Sequence, residues 1–129
     1  MAAAGSLMNL QDVLQAEAMA CIESLKLAIC LGMYQVIVET DSNQLFYALK
    51  DDELDNGINA AVIREGRDLL SLQFSVTQVV YCPRACNNVA HELARFGATL
   101  ASSTPVVWAE DFPEFICNLV NSDLAVSLE

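Results

Sequence analysis

Positive charge is what this sequence has least of. Its 129 residues carry six Lys and Arg against seventeen Asp and Glu, a net charge of −11 at pH 7. Phosphate binding draws on clustered basic residues, whereas Lys26, Lys50, Arg64, Arg67, Arg84 and Arg95 are scattered along the chain. Composition alone therefore argues against a non-specific nucleic-acid binder. No secretory leader is expected: the N-terminal stretch reads Met1-Ala2-Ala3-Ala4-Gly5-Ser6, with no basic segment and no long apolar core. No run of about eighteen uncharged apolar residues occurs, as a membrane span would need. The densest stretch, Ala18 to Met33, is broken by Glu23 and Lys26. No membrane partner is expected, and the expected location is intracellular, cytoplasmic or nuclear. Histidine is scarce, with His91 alone, and the five cysteines are an odd number (Cys21, Cys30, Cys82, Cys86 and Cys117). Without a secretion signal that pattern fits reduced thiols. Cys82 and Cys86 provide the one close pair, too few for the usual ligand pairs of a zinc site. Small buried hydrophobes are the preferred reading of the cysteines.

Apolar residues, by contrast, are abundant. They make up 54% of the chain, above the roughly 45–50% of ordinary globular proteins, which excludes disorder despite the charge. A chain of this size forms one domain and buries roughly two-thirds of its unfolded surface.

The first strong element runs from about Val13 to Leu31. Asp12 followed by Gln15 resembles a capping box, and Gly32 is a natural stop. At about 100° per residue, Cys21, Ser24, Ala28 and Leu31 share one face, flanked by Leu25, Leu27 and Ile29, with Glu23 and Lys26 opposite. Glu17 falls near the centre of the apolar face. A carboxylate there is costly unless paired or bound to a cation, although the helix dipole favours acids in the first turns. Gln35-Val36-Ile37-Val38-Glu39-Thr40-Asp41 reads as a strand buried on both faces, as in a parallel sheet. Ser42 then caps a helix carrying Leu45, Phe46, Ala48 and Leu49. Asp41 thus sits at the carboxyl end of a strand before a helix N-terminus. Ligands bind at such places in open α/β sheets, and an Asp there also serves as a helix cap.

Residues 51–59 form an acidic polar loop. Val62, Ile63, Leu69, Leu70 and Leu72 predict another helix, and Phe74 to Cys82 a second strand closed by Pro83. Asn87 or Asn88 caps a helix to about Ala101, with Val89, Leu93, Phe96 and Leu100 on its apolar stripe. His91 and Arg95 fall on the other side, which makes His91 an exposed side chain on spacing alone. Trp108, Phe112, Phe115, Ile116, Leu119 and Val120 form a tail that packs back on the domain. The alternation means α/β, yet only two strands are strong, with a weak third in Ala2 to Met8.

Ala16-Glu17-Ala18, Val38-Glu39-Thr40-Asp41-Ser42, Pro83-Arg84 with Asn87, and Val89-Ala90-His91-Glu92-Leu93-Ala94 resemble, in order and separation, plant retroelement-type ribonuclease H-like domains. The tail from Trp108 to Ile116 is similar to the tail of the same group. The resemblance implies a three-layer α/β fold with a five-stranded mixed sheet, whose first three strands form an antiparallel meander. The chain begins where the third strand should be, so the first two are expected to be missing. On this reading residues 1–129 are one domain: 1–8 a remnant edge strand, 9–101 the core, and 102–129 a loop and packing tail.

The resemblance also implies hydrolysis of the RNA strand of an RNA–DNA hybrid by four carboxylates around two divalent metals, Mg2+ or Mn2+. Paired metals stabilise the attacking and leaving oxygens of an in-line displacement, and hard oxygen ligands suit them. Glu17 matches the carboxylate of the first helix and Asp41 that of the fourth strand. The first-strand aspartate has no match, and Asp12, the nearest acid, is no substitute for it. His91 stands where the fourth carboxylate should be; imidazole is a poor magnesium ligand but can move a proton or meet a phosphate. Glu39 is a possible extra ligand or a surface charge. Arg84, Asn87 and Ser42 are the candidate nucleic-acid contacts, with a solvated loop charge the competing reading of Arg84. Two of four carboxylates imply weak or absent catalysis and weak binding of a hybrid or other nucleic acid. The alternative is a degenerate, non-catalytic domain serving as an acidic protein-interaction module, with strand-edge self-association through an unpaired edge.

Overall fold

The computed structural model describes residues 2–7, 12–50, 57, 59–101 and 104–127. Along the chain come β1 (Ala2–Ala4), α1 (Val13–Cys30), β2 (Gln35–Thr40), α2 (Asn43–Lys50), α3 (Ala60–Gln73), β3 (Val76–Tyr81), a 3-10 turn (Arg84–Cys86), α4 (Asn88–Ala98), β4 (Val106–Trp108) and α5 (Glu114–Ser127). The architecture is mixed α/β, as expected, with one parallel and one antiparallel strand pair. Two compact units result: Asn9–Tyr81, and Met1–Met8 with Cys82–Glu129. No described helix is long and apolar enough to cross a membrane.

In the unit Asn9–Tyr81, α1 begins where the Asp12 carboxylate accepts the Gln15 N–H at 2.7 Å. It ends at Gly32, whose φ of 77° is the left-handed conformation that closes a helix. There the Gly32 N–H donates to Ile29 O and the Met33 N–H to Ala28 O, both at 3.0 Å. The buried stripe of α1 is Ala18, Ile22 and Leu25, rotated from the expected one. Ser24 is exposed, its hydroxyl donating to Ala20 O, and so is Leu31. The cause is packing on α3 and α2, which draws in the bulkier i, i+4, i+7 series.

β2 and β3 pair in parallel, in the register Gln35↔Val76 through Thr40↔Tyr81. The core gathers Ala18, Leu25, Leu45, Leu49, Ile63, Leu70 and Phe74, and Val36, Val38 and Val79 pack against it. All the strand residues in that core lie on one face of the pair. The expectation that β2 is buried on both faces is therefore corrected: Ile37, pointing the other way, is 64% exposed. The helices of this unit share one side of its two strands, so alternate β2 residues face outward. Cys21 packs beside the core, and burial pushes its thiol up from 9.0 to about 11.

In the other unit, β1 pairs antiparallel with β4, Ala2 opposite Trp108 and Ala4 opposite Val106. β4 was expected to be loop and tail; three residues after Pro105 are too few to show a two-residue period. The strand Ala2–Ala4 thus finds its partner in the C-terminal segment. The described strands form two pairs where the resemblance implied one five-stranded sheet. The tail does pack back: the Phe96 ring lies 5.6 Å from Trp108 and 6.2 Å from Phe115, and Ile116 is buried. Gly97 is buried in α4, and a Cβ there would strike Gly5 O.

Two predictions follow from this packing. Alanine normally gains up to ~1 kcal/mol over glycine inside a helix, but Gly97→Ala should lose about 1–3 kcal/mol by overpacking, read by urea unfolding. In the native protein at pH 8, Cys21 should react with iodoacetamide about a hundredfold more slowly than an unshifted thiol, since a rise from 9.0 to about 11 lowers the thiolate fraction by that factor. Exposed Cys30 and Cys117 should be labelled first, as peptide mass mapping would show.

Candidate functional site

Strand, turn and helix position Asp41 together. β2 ends at the buried Thr40, whose Oγ1 accepts the Ser42 N–H at 3.1 Å. Ser42 Oγ accepts the Leu45 N–H at 3.2 Å, the expected cap of α2. Asp41, half-buried between them, is the residue that leaves the parallel strand at its carboxyl end. The hydroxyl of Ser42 is thus engaged in capping. Because β2 stops at Thr40, its alternation does not reach Asp41, and Glu39 lies exposed on the outward face with Ile37.

Glu17 lies on α1, half-buried. With the stripe running through Ala18, Ile22 and Leu25, Glu17 stands at its flank, roughly a quarter turn from the centre. The expected central position is corrected by that rotation. The start of α1 is tied down by a contact that sequence reading did not anticipate. Asn59, only 5% exposed, donates from its side-chain Nδ2 to both carboxylate oxygens of Asp12, at 3.2 and 3.1 Å. Asn59 O also accepts the Ile63 N–H, so Asp12 links the first turns of α1 and α3. The one hint in the sequence is an asparagine directly ahead of an apolar helix pattern. Asn59 Oδ1 is buried and has no hydrogen-bond partner among the described residues.

His91, Arg84 and Asn87 belong to the other unit. His91 is half-buried, and its Nε2 is fully shielded and finds no hydrogen-bond partner among the described residues. The exposed side chain read from spacing is corrected: α4 packs on both β1 and α5, so more of its circumference is covered than one apolar stripe. Arg84 is exposed on the 3-10 turn. Asn87 occupies the cap position of α4, but its side chain makes no capping bond. Asn88 ties the turn instead, its amide donating to Ala85 O at 3.0 Å.

Two other cations are engaged with acids. Lys26 lies 3.7 Å from Glu23 and 3.4 Å from Glu65, and Arg95 2.9 Å from Glu92. These pairs are solvated and contribute little stability.

A family model described as reverse transcriptase-like matches residues 1–97. The chain belongs to the reverse transcriptase-like family. The match takes in Glu17, Asp41 and His91 and ends before β4 and α5. No curated protein and no solved structure matches the chain. The mixed α/β architecture agrees with the ribonuclease H-like fold of this reverse transcriptase-like family. Such domains imply divalent metals, and the donor set decides whether that chemistry fits. Among the described residues no three His, Cys, Asp or Glu side chains gather as a metal group. The described residues by themselves therefore do not make up the ligand set of a two-metal centre.

Asp12→Ala should cost about 1–2 kcal/mol of unfolding free energy, because it removes the α1 cap and leaves the buried Asn59 amide unpaired. Chemical denaturation measures the loss, and amide exchange at Gln15 should rise with it.

Proposed function

We propose that this chain is a retroelement-type ribonuclease H-like domain that binds RNA–DNA hybrid or related nucleic acid weakly and cleaves it poorly or not at all. One observation carries the reading: the half-buried Asp41 at the carboxyl end of a parallel strand, framed by Thr40 and by the Ser42 cap. Open α/β sheets bind ligands there, and the family match spans that segment. Glu17 is the second carboxylate of the proposed remnant, on α1 of the same unit. His91 in place of a carboxylate, and the absence of any group of three ligating side chains among the described residues, support impaired catalysis. Arg84, Asn87 and Ser42 are the proposed nucleic-acid contacts, with Ser42 acting through the shape of the α2 start.

A second reading rests on the outward face of β2 and β3, where Ile37 and Val76 are 64% and 54% exposed. An acidic interaction module would cover that apolar face with a partner.

One set of measurements separates them. A fluorescent RNA–DNA hybrid with Mg2+ or Mn2+ should bind detectably at low salt, and its cleavage should match that of Asp41→Asn. Rapid cleavage by the wild type that Asp41→Asn abolishes would overturn impairment, and absence of hybrid binding would overturn the nucleic-acid role. A monomer by light scattering would count against the interaction module.

A further inference from the structure

We infer that the aromatic cluster at the carboxyl ends of β2 and β3 is a stacking surface for the bases of single-stranded nucleic acid, an inference resting on the nucleic-acid reading above. The strand register sets Tyr81 opposite Thr40, and α2, which follows Thr40 closely, packs on β3. The Phe46 ring meets Tyr81 edge-on at 6.4 Å and Tyr47 at 5.2 Å. Lys50 Nζ stands 4.8 Å from the Phe46 ring centre. Yet Tyr47 is 65% exposed and Tyr81 41%. Two tyrosines thus lie at the surface, braced by a third ring and accompanied by one ammonium group. Single-strand binders combine these parts: bases stack on aromatic rings while cations follow the phosphates.

The charge decides which part dominates. Lys50 is one cation on a chain of net charge −11, and Asp51, Asp52 and Glu53 follow it in sequence. Phosphate attraction is correspondingly small, and stacking is the term that remains. A duplex, whose bases already stack on one another, cannot use it; an unpaired strand can. The surface is therefore selective for single strands and weakly sensitive to salt.

Fluorescence anisotropy with labelled oligothymidylate, an abasic strand of equal length and an RNA–DNA hybrid tests this. Oligothymidylate should bind more tightly than the abasic strand. The logarithm of affinity should fall with the logarithm of salt concentration at a slope of about 0.7, for a single phosphate contact on a single strand. Tyr47→Ala and Tyr81→Ala should each weaken binding by about tenfold. Tyr34→Ala, 66% exposed ahead of β2, should leave it unchanged. Equal binding of the abasic strand and oligothymidylate, or tyrosine variants that bind like wild type, would overturn the stacking surface while hybrid binding preserves the nucleic-acid role. A chain that binds none of the three ligands would overturn both.

Discussion

Parallel strands cannot be joined by a tight turn; they need a crossover that carries the chain back to the same end. In the unit Asn9–Tyr81 that crossover is α2 and α3, and the rest of the unit follows from it. Pairing of β2 with β3 in the register Thr40↔Tyr81 brings the two carboxyl ends side by side. The return path begins at once, so the Ser42 cap and the Thr40 hydroxyl hold the turn that carries Asp41. The same crossover sets Phe46 against Tyr81. The candidate carboxylate and the aromatic cluster are thus two products of one strand pairing.

Acidity is distributed over several jobs. Asp12 is structural: its carboxylate accepts the Gln15 N–H and, through both oxygens, the side-chain amide nitrogen of Asn59. Glu23, Glu65 and Glu92 pair with Lys26 and Arg95. Glu17 and Asp41 are the two candidate site carboxylates, both half-buried in one unit. A two-metal centre needs more anionic ligands than two carboxylates supply, because each dication must be neutralised and held in geometry. The net charge of −11 then acts against phosphate at every approach. Binding that survives this field must draw on contacts that are not ionic, which is why the exposed rings matter.

Local signals were read well where the physics is local. Asp12 and Ser42 cap helices, and Gly32 ends one, because each acts on backbone groups within a few residues. The strands Gln35–Thr40 and Val76–Tyr81 show in their β-branched runs. Asp41 at a strand end was legible for the same reason. Errors arose where the answer depends on what lies across from a residue. The stripe of α1 turned away from Ser24 and Leu31 because α3 and α2 chose the bulkier neighbours, and Glu17 moved to its flank. His91 passed from exposed to half-buried because α4 is covered by both β1 and α5.

By itself, then, the sequence determined the α/β class, the starts of α1 and α2 and the end of α1, the two strong strands and the carboxylate that ends one of them. Tertiary structure alone decided that Ala2–Ala4 pairs with Val106–Trp108, that Ile37 faces outward, that Asn59 reaches Asp12, and that Tyr47 and Tyr81 flank Phe46 at the surface. Capping and strand propensity act over a few residues and leave a mark in composition. Partner choice between segments is set by long-range packing and backbone hydrogen bonding, and three alanines carry no mark of the strand they will meet.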